Sequence, residues 1–198
     1  DAVVVEIRPD TDGNFLRNYG VRRNVEELSW TEIQTFHSRI DGKPPQRLED
    51  FAAICRGKIQ VMIDSKEEGN HPGFYETMER ILRENDLLEN AFFIGSAEEK
   101  AYFKGKARVA AGCQELRDAA AAGEDVAARY FLFGHGNELD AAALDCAKAL
   151  NVPVVASVNT FHYLTLKPQA GPEADIQRLR DAGVVYFQID SVYAKYFQ

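Results

Sequence analysis

The sequence predicts an α/β protein, and two observations lead to this prediction. Short apolar runs that read as β-strands recur along the chain, and segments with apolar residues at helical spacing lie between them. The runs are almost continuously apolar, which is typical of parallel strands covered on both faces. Seven strands are predicted, over 3–8, 58–66, 90–96, 107–112, 129–134, 152–159 and 184–190.

Helix start and stop signals separate these strands. Two capping boxes are predicted, Ser29 with Glu32 and Ser96 with Glu99, and the first opens a helix that runs to about Arg39. Further helices are predicted over 47–57, 71–86, 113–123, 137–151, 172–183 and 191–197, some with a proline near the start or a glycine at the end. Helices therefore alternate with strands along most of the chain.

Repeated β-α units form either a doubly wound sheet or a barrel. No Gly-x-Gly-x-x-Gly motif follows any strand, which disfavours a dinucleotide-binding sheet. These observations from the residues alone leave both a doubly wound sheet and a barrel open. A TIM-type barrel closes with eight strands, so in a barrel the first strand would be absent from this chain. An N-terminal segment or a homo-oligomer contact is expected to cover the open edge.

Composition excludes some function classes. The net charge of −8 disfavours a general nucleic-acid surface, since nucleic-acid-binding domains are usually basic. No apolar run approaches the roughly 20 residues that a transmembrane helix needs. The three cysteines have no metal-binding spacing and are predicted to be free thiols. These cysteines do not decide whether the protein is cytoplasmic or is periplasmic or secreted.

Polar side chains follow nearly every predicted strand. Because a barrel carries its site at the carboxyl ends of its strands, these side chains predict the rim of a polar pocket. The other interpretation is that strands end in loops, and loops are polar. The side chains concerned are Glu6, Arg8, Asp64, Lys66, Ser96, His135, Asn159 and Asp190.

Five segments resemble one known family in order and spacing. "VVVEIRPDTDGNFLRN" resembles a Glu-x-Asp strand, its Asp-Gly turn and a following His-Asp, and "IQVMIDSK" resembles a Glu-x-Lys strand. "FFIGS", "ALNVPVVASVN" and "DAGVVYFQID" resemble three later strands, which end in Ser-Phe, in Trp-Thr-x-Asn and in Thr-Asp. The chain thus resembles the glycerophosphodiester phosphodiesterases, TIM barrels that cleave phosphodiesters with a divalent metal and take part in lipid metabolism. The resemblance implies a single phosphodiesterase-like domain over residues 1–198 with the TIM (β/α)8-type barrel fold.

The chain departs from this family at positions that carry its chemistry. The family's first strand ends in His-Arg-Gly, and this chain begins after that point. Arg8 replaces the acid of Glu-x-Asp, while Asn18 and Tyr19 replace His-Asp. Asp64 replaces the Glu of Glu-x-Lys and keeps a carboxylate, and Ala156 replaces the Trp.

The resemblance implies a metal site and a phosphate site. Glu6 and Asp64 are the expected ligands of Mg²⁺ or Ca²⁺, which prefer oxygen donors. Arg8 and Lys66 are the expected phosphate-binding residues. Alternatively, Arg8 replaces the metal by pairing with the carboxylates, because a guanidinium keeps its charge near neutral pH. Lys66 alternatively pairs with Asp64.

Acid–base catalysis usually needs a histidine, and the two histidines of the family are missing here. His135, between two glycines at a strand end, is the candidate replacement, with Lys66 and Asn18 as further catalytic candidates. His162 in "NTFHY" is given less weight. Ser96, Asn159 and Asp190 are expected to line the rest of the pocket.

Three functions remain open from the sequence. The first is metal-assisted hydrolysis of a glycerophosphodiester or a phospholipid head group. The second is a catalytically silent family member that binds a phosphorylated or polyol ligand, with Arg8 in place of the metal. The third is a different barrel enzyme, such as an aldolase or isomerase, that uses Lys66, although the nearby Asp64 disfavours the lowered pKa this needs.

Overall fold

The computed structural model describes residues 2–7, 14–23, 25–65, 72–163 and 171–197. The chain forms two compact units by its internal contacts. The first comprises 1–91 with 95–102, and the second 92–94 with 103–198. The alternation of helices with parallel strands confirms the predicted α/β class and is consistent with part of a TIM-type barrel. The single barrel domain over residues 1–198 stays a prediction.

The first unit contains two strands within its described residues. β1 (Ala2–Ile7) pairs in parallel with β2 (Gln60–Ser65), and this register places Glu6 opposite Asp64. β2 is buried from Val61 to Ser65, as expected of a covered parallel strand. The helices are α1 (Asn14–Tyr19), α2 (Trp30–Ile33), α3 (Leu48–Cys55), α4 (Pro72–Glu84) and, except for its last residue, α5 (Ala97–Phe103), with 3-10 turns at 25–27 and 88–90.

Helix α2 has the predicted start but a different end. Ser29 forms the predicted capping box with Glu32, and both reciprocal hydrogen bonds are present. The prediction that this helix runs to Arg39 is wrong, because α2 ends at Ile33. The Thr35 hydroxyl donates to the Glu32 carbonyl at 2.7 Å, a local side-chain bond that competes with helix continuation.

The second unit contains five strands within its described residues, and they pair in parallel in chain order. They are β3 (Phe92–Phe93), β4 (Arg108–Ala111), β5 (Tyr130–His135), β6 (Val154–Val158) and β7 (Tyr186–Ile189). The helices are α6 (Cys113–Ala121), α7 (Val126–Arg129), α8 (Ala141–Ala149) and α9 (Pro172–Asp181). Residues 160–163 and 191–197 form 3-10 turns, so the predicted last helix has 3-10 geometry.

Aromatic side chains form much of the core of the second unit. The rings of Phe92 and Phe131 stack at 4.6 Å, and those of Phe93 and Phe103 at 3.9 Å. All four side chains are at most 2% exposed. Removing each of these rings from water stabilises the folded state by roughly 1.5–3 kcal/mol. This packing therefore holds the strands of the second unit in place.

One pair of cysteines corrects the prediction of free thiols. Cys113 at the start of α6 and Cys146 in α8 form a disulfide, with their Cα atoms 6.2 Å apart. Cys55 is free and buried. The two bonded cysteines are 33 residues apart in the sequence, and only the packing of their helices brings them together. No helix in the described part of the chain is long and apolar enough to cross a membrane.

Candidate functional site

The carboxyl ends of three neighbouring strands carry the polar side chains of the second unit. His135 is the last residue of β5, while Asn159 and Asp190 directly follow β6 and β7. Because parallel neighbours end at the same edge of a sheet, these residues lie side by side. The structure therefore brings together three of the residues predicted from the sequence.

Asp190 holds the chain that follows β6. Its Oδ1 accepts a hydrogen bond from the Asn159 amide at 3.0 Å, and its Oδ2 accepts from the backbone N–H and the hydroxyl of Thr160, both at 2.6 Å. Burial opposes ionisation, but these hydrogen bonds outweigh it and lower the pKa of Asp190 below its usual value. Asp190 is therefore a carboxylate near neutral pH, and it fixes the 160–163 turn.

Asn159 connects β6 to this carboxylate. Its side-chain oxygen accepts a hydrogen bond from the Ser157 hydroxyl, and its side-chain nitrogen donates to Asp190. Both polar atoms of the Asn159 side chain are thus hydrogen-bonded within the protein, and the residue is buried. The geometry makes Asn159 a bridge between two strands, while its predicted place in a ligand pocket stays a prediction.

Two histidines lie face to face at this edge. The rings of His135 and His162 are 3.9 Å apart between centroids and inclined by 31°. Nδ1 of His162 accepts the backbone N–H of Asn159 at 3.4 Å, and Nδ1 of His135 lies 3.2 Å from Oε2 of Glu138. Burial and the neighbouring His135 lower the pKa of His162. The sequence analysis gave His162 less weight than His135, and it did not foresee that the two rings lie together.

The two glycines on either side of His135 are closely packed against other side chains. A Cβ atom on Gly134 would lie 2.7 Å from Cδ2 of Leu139, and one on Gly136 would lie 2.9 Å from Cγ2 of Val158. Both distances are well inside the usual contact of two carbon atoms. The "FGHGN" segment is therefore explained by close packing on both sides of the histidine.

Arg178 of α9 holds the loop that follows β5. Its guanidinium donates to the carbonyls of Gly136 and Leu139 at 2.6 and 2.7 Å, and it pairs with Asp175 at 2.9 Å. Tyr163 donates its hydroxyl to the same Asp175 at 3.1 Å, and burial together with that carboxylate raises the pKa of Tyr163. We call Arg178, Asp175 and Tyr163 the α9 clamp, which the sequence analysis did not anticipate.

The first unit contains the predicted metal residues. Asp64 is 6% exposed and stands opposite Glu6 in the β1–β2 register. Arg8, Lys66 and the side chain of Glu6 lie outside the described residues, so their predicted roles stay predictions. Among the side chains that are described, no group of three or more histidine, cysteine, aspartate or glutamate residues is placed to hold a metal ion.

Asn18 and Ser96 have structural contacts in the first unit. Asn18 lies in α1, and its backbone carbonyl accepts the N–H of Arg39 at 2.7 Å. The Ser96 hydroxyl accepts the backbone N–H of Glu99 at 3.2 Å, which is one half of the predicted capping box. Their predicted roles in catalysis and in a pocket stay predictions.

The side chain of Glu99 makes a contact that the predicted capping box does not include. It is completely buried and accepts the Ser65 hydroxyl at 2.8 Å. It also occupies the space beside Gly95, where an added Cβ would lie 1.3 Å from its Oε2. Glu99 therefore joins the first turn of α5 to the carboxyl end of β2.

Replacing Glu99 with alanine is expected to lower the free energy of unfolding by about 1–3 kcal/mol, because the buried Ser65 hydroxyl loses its acceptor. Glu98→Ala is the matched control, since Glu98 is exposed in the same first turn and has a similar helix-dipole effect. Urea unfolding of both variants measures the difference. Equal shifts of the two midpoints would show that the Ser65 contact stabilises nothing.

Comparison with known proteins gives a likeness of fold. A solved structure of a proposed glycerophosphodiester phosphodiesterase from Galdieria sulphuraria superposes with a TM-score of 0.65 at 10% sequence identity, covering 94% of this chain and 81% of that one. The likeness shows the fold alone. An aldo-keto reductase complexed with NADPH gives a TM-score of 0.49 at 12% identity, covering 72% of this chain and 58% of that one. No model of a known protein family and no curated protein matches the sequence.

Proposed function

We propose that the chain is a phosphodiesterase-like hydrolase that cleaves a glycerophosphodiester or a phospholipid head group. The observation that carries the proposal is the fold likeness to the Galdieria protein over 94% of the chain. The five sequence segments described above resemble the same family. Fold alone does not fix function, so the site residues have to be tested directly. A single TIM-type barrel domain over residues 1–198 is part of this proposal.

A divalent cation, Mg²⁺ or Ca²⁺, is proposed at the end of β1 and β2. Asp64 offers a buried carboxylate, and the parallel register places Glu6 opposite it, so the donor chemistry suits a hard cation. A cation bound there would polarise the phosphoryl group of the substrate. In this proposal Arg8 and Lys66 bind phosphate oxygens, and Lys66, Asn18 and His135 are the catalytic candidates.

The first test is metal binding and hydrolysis with the purified protein. Calorimetry with Mg²⁺, Ca²⁺ and Mn²⁺ is followed by an assay on glycerophosphocholine with and without a chelator. Asp64→Asn is expected to weaken both metal binding and hydrolysis at least about tenfold. Asp145→Asn is the control, since Asp145 is exposed on α8 and should leave both unchanged.

The Arg8→Asp variant separates this function from the silent alternative. If the native protein binds metal and hydrolyses the substrate, Glu6 and Asp64 form the site. If only Arg8→Asp binds metal and the native protein hydrolyses nothing, Arg8 has replaced the cation and the hydrolase proposal fails. If the Asp64→Asn variant hydrolyses the substrate as well as the native protein does, the assigned metal ligands are wrong.

A further inference from the structure

The segment that connects α1 to α3 leaves its apolar side chains partly exposed. Residues 14–47, which we call the α1–α3 segment, run from the start of α1 to the residue before α3. Among the residues of this segment whose exposure the structure describes, none is buried. An apolar surface of this kind usually marks a site of interaction. The apolar side chains concerned are Leu16, Val21, Val25, Leu28, Trp30, Ile33, Phe36 and Ile40.

The most exposed of these side chains lies at the tip of a turn. Ile40 is 82% exposed, and the Ser38 N–H closes the turn around it by donating to the Lys43 carbonyl at 2.8 Å. The Arg39 N–H donates to the Asn18 carbonyl at 2.7 Å, which ties the turn to α1. Since removing an aliphatic side chain from water is favourable, this hydrogen-bonded turn presents Ile40 to a partner that can cover it.

The charge of the α1–α3 segment is opposite to that of the whole chain. Its sequence has six arginine and lysine residues and four carboxylates, a net charge of +2, whereas the chain carries −8. Three of the four carboxylates are already paired inside the segment. Glu27 and Glu32 lie 4.0 and 3.1 Å from Arg23, and Asp41 lies 3.8 Å from Lys43. The remaining positive charge is therefore carried by other arginines.

Three of those arginines have no carboxylate partner in the described part of the chain. They are Arg22, Arg39 and Arg47, and all three are exposed. The guanidinium of Arg39 lies over Gly20, where an added Cβ would collide with it, so it lies near the stretch that carries Arg22. The guanidinium of Arg47 lies 4.5 Å from the centroid of the Trp30 ring. Guanidinium groups without a carboxylate partner attract phosphates.

These arginines, the aliphatic tip and the tryptophan together match the surface of an anionic membrane. Each arginine or lysine near such a surface strengthens binding about fivefold. Tryptophan is enriched at the depth of the lipid head groups, and the long arginine side chain reaches the phosphates there. A single protruding aliphatic side chain suits a lipid layer better than a protein, because a standard protein interface buries about 800 Å² on each side.

We propose that the α1–α3 segment binds the surface of an anionic lipid membrane, with Ile40 entering the apolar layer and with Arg22, Arg39 and Arg47 contacting lipid phosphates. The rest of the chain has a net negative charge, so this segment is the part that such a surface attracts. The inference goes beyond the proposed hydrolysis and does not depend on it.

Membrane binding is tested on the purified protein with lipid vesicles. Vesicles of phosphatidylglycerol mixed equally with phosphatidylcholine are compared with vesicles of phosphatidylcholine alone, by co-sedimentation and by tryptophan emission. Trp30 is the only tryptophan of the chain, so its emission reports on this segment. We expect binding and an emission shift with the mixed vesicles, and binding should weaken at least about tenfold at high salt. No binding, or equal binding to both kinds of vesicle, would overturn the proposal.

Two substitutions test the assigned side chains. Ile40→Ser should weaken binding to the mixed vesicles at least about tenfold, and Arg22→Gln about fivefold. The matched controls are Ile54→Ser and Arg117→Gln, since Ile54 is 52% exposed on α3 and Arg117 is exposed on α6, both outside the α1–α3 segment. The controls should leave binding unchanged. If they weaken it as much as the test variants do, another surface binds the membrane and the assignment is wrong.

A second copy of the chain is the other partner that the experiments can detect. Sedimentation velocity without vesicles shows whether the protein forms a dimer. A dimer that Ile40→Ser dissociates, in a protein that binds no vesicles, would assign this surface to self-association and overturn the proposal. Hydrolysis of glycerophosphocholine, which is soluble, is measured separately. Its absence would refute the proposed function and leave membrane binding standing.

Discussion

Replacing Arg178 with glutamine is expected to lower the free energy of unfolding by about 3 kcal/mol. Asp175 is 4% exposed and would become a buried carboxylate without its cation. The carbonyls of Gly136 and Leu139 would also lose their donor, and the shorter glutamine cannot reach all of these partners. Urea unfolding followed by circular dichroism measures the change.

The matched control is Arg180→Gln on the same helix. Arg180 donates a hydrogen bond to the carbonyl of Tyr196 and its guanidinium lies 5.8 Å from the centroid of the Phe197 ring, both exposed contacts, so its replacement should cost about 1 kcal/mol. Both variants remove one positive charge from α9, so the effect of net charge cancels in the comparison. If the two variants unfold at the same urea concentration, the α9 clamp adds no more to the free energy of unfolding than a surface contact does.

Breaking the Cys113–Cys146 disulfide is expected to lower the free energy of unfolding by about 3–4 kcal/mol. The bond joins cysteines 33 residues apart, and opening this loop restores conformational entropy to the unfolded chain. The measurement compares urea unfolding of the oxidised native protein with that of the Cys113→Ala/Cys146→Ala variant.

Reducing agent provides the control for this prediction. The native protein should lose stability on reduction, while the double variant should not, because Cys55 is its only remaining cysteine and makes no disulfide. Thiol titration of the denatured native protein should give one reactive group before reduction and three after it. Three reactive thiols before reduction would show that the disulfide does not form.

The sequence was a good guide wherever structure depends on neighbouring residues. β2, β4, β5, β6 and β7 were found because a covered parallel strand is an unbroken apolar run. The Ser29 capping box was found because its partner is three residues away. The Glu99 contact was missed because its acceptor role depends on Ser65, which lies 34 residues earlier in the chain.

The candidate site was predictable only as a list of strand ends. The carboxyl edge of a parallel sheet is fixed by topology, so Asn159, Asp190 and His135 could be expected near one another. Whether a carboxylate there is open to a ligand or used by the protein depends on hydrogen-bond geometry. Asp190 proved to be hydrogen-bonded to Thr160, and the contact between the His135 and His162 rings was not predicted because no sequence pattern indicates that two rings will pack together.

The glycines beside His135 restrict which substitutions this segment can tolerate. Since neither Gly134 nor Gly136 has space for a methyl group, a side chain at either position must displace Leu139 or Val158. In a saturation library these two positions should therefore accept almost nothing else, while exposed Glu138 accepts many residues. The same restriction gives a practical search pattern: a strand that ends in Gly-His-Gly, followed three residues later by leucine, marks distant chains that pack this edge in the same way.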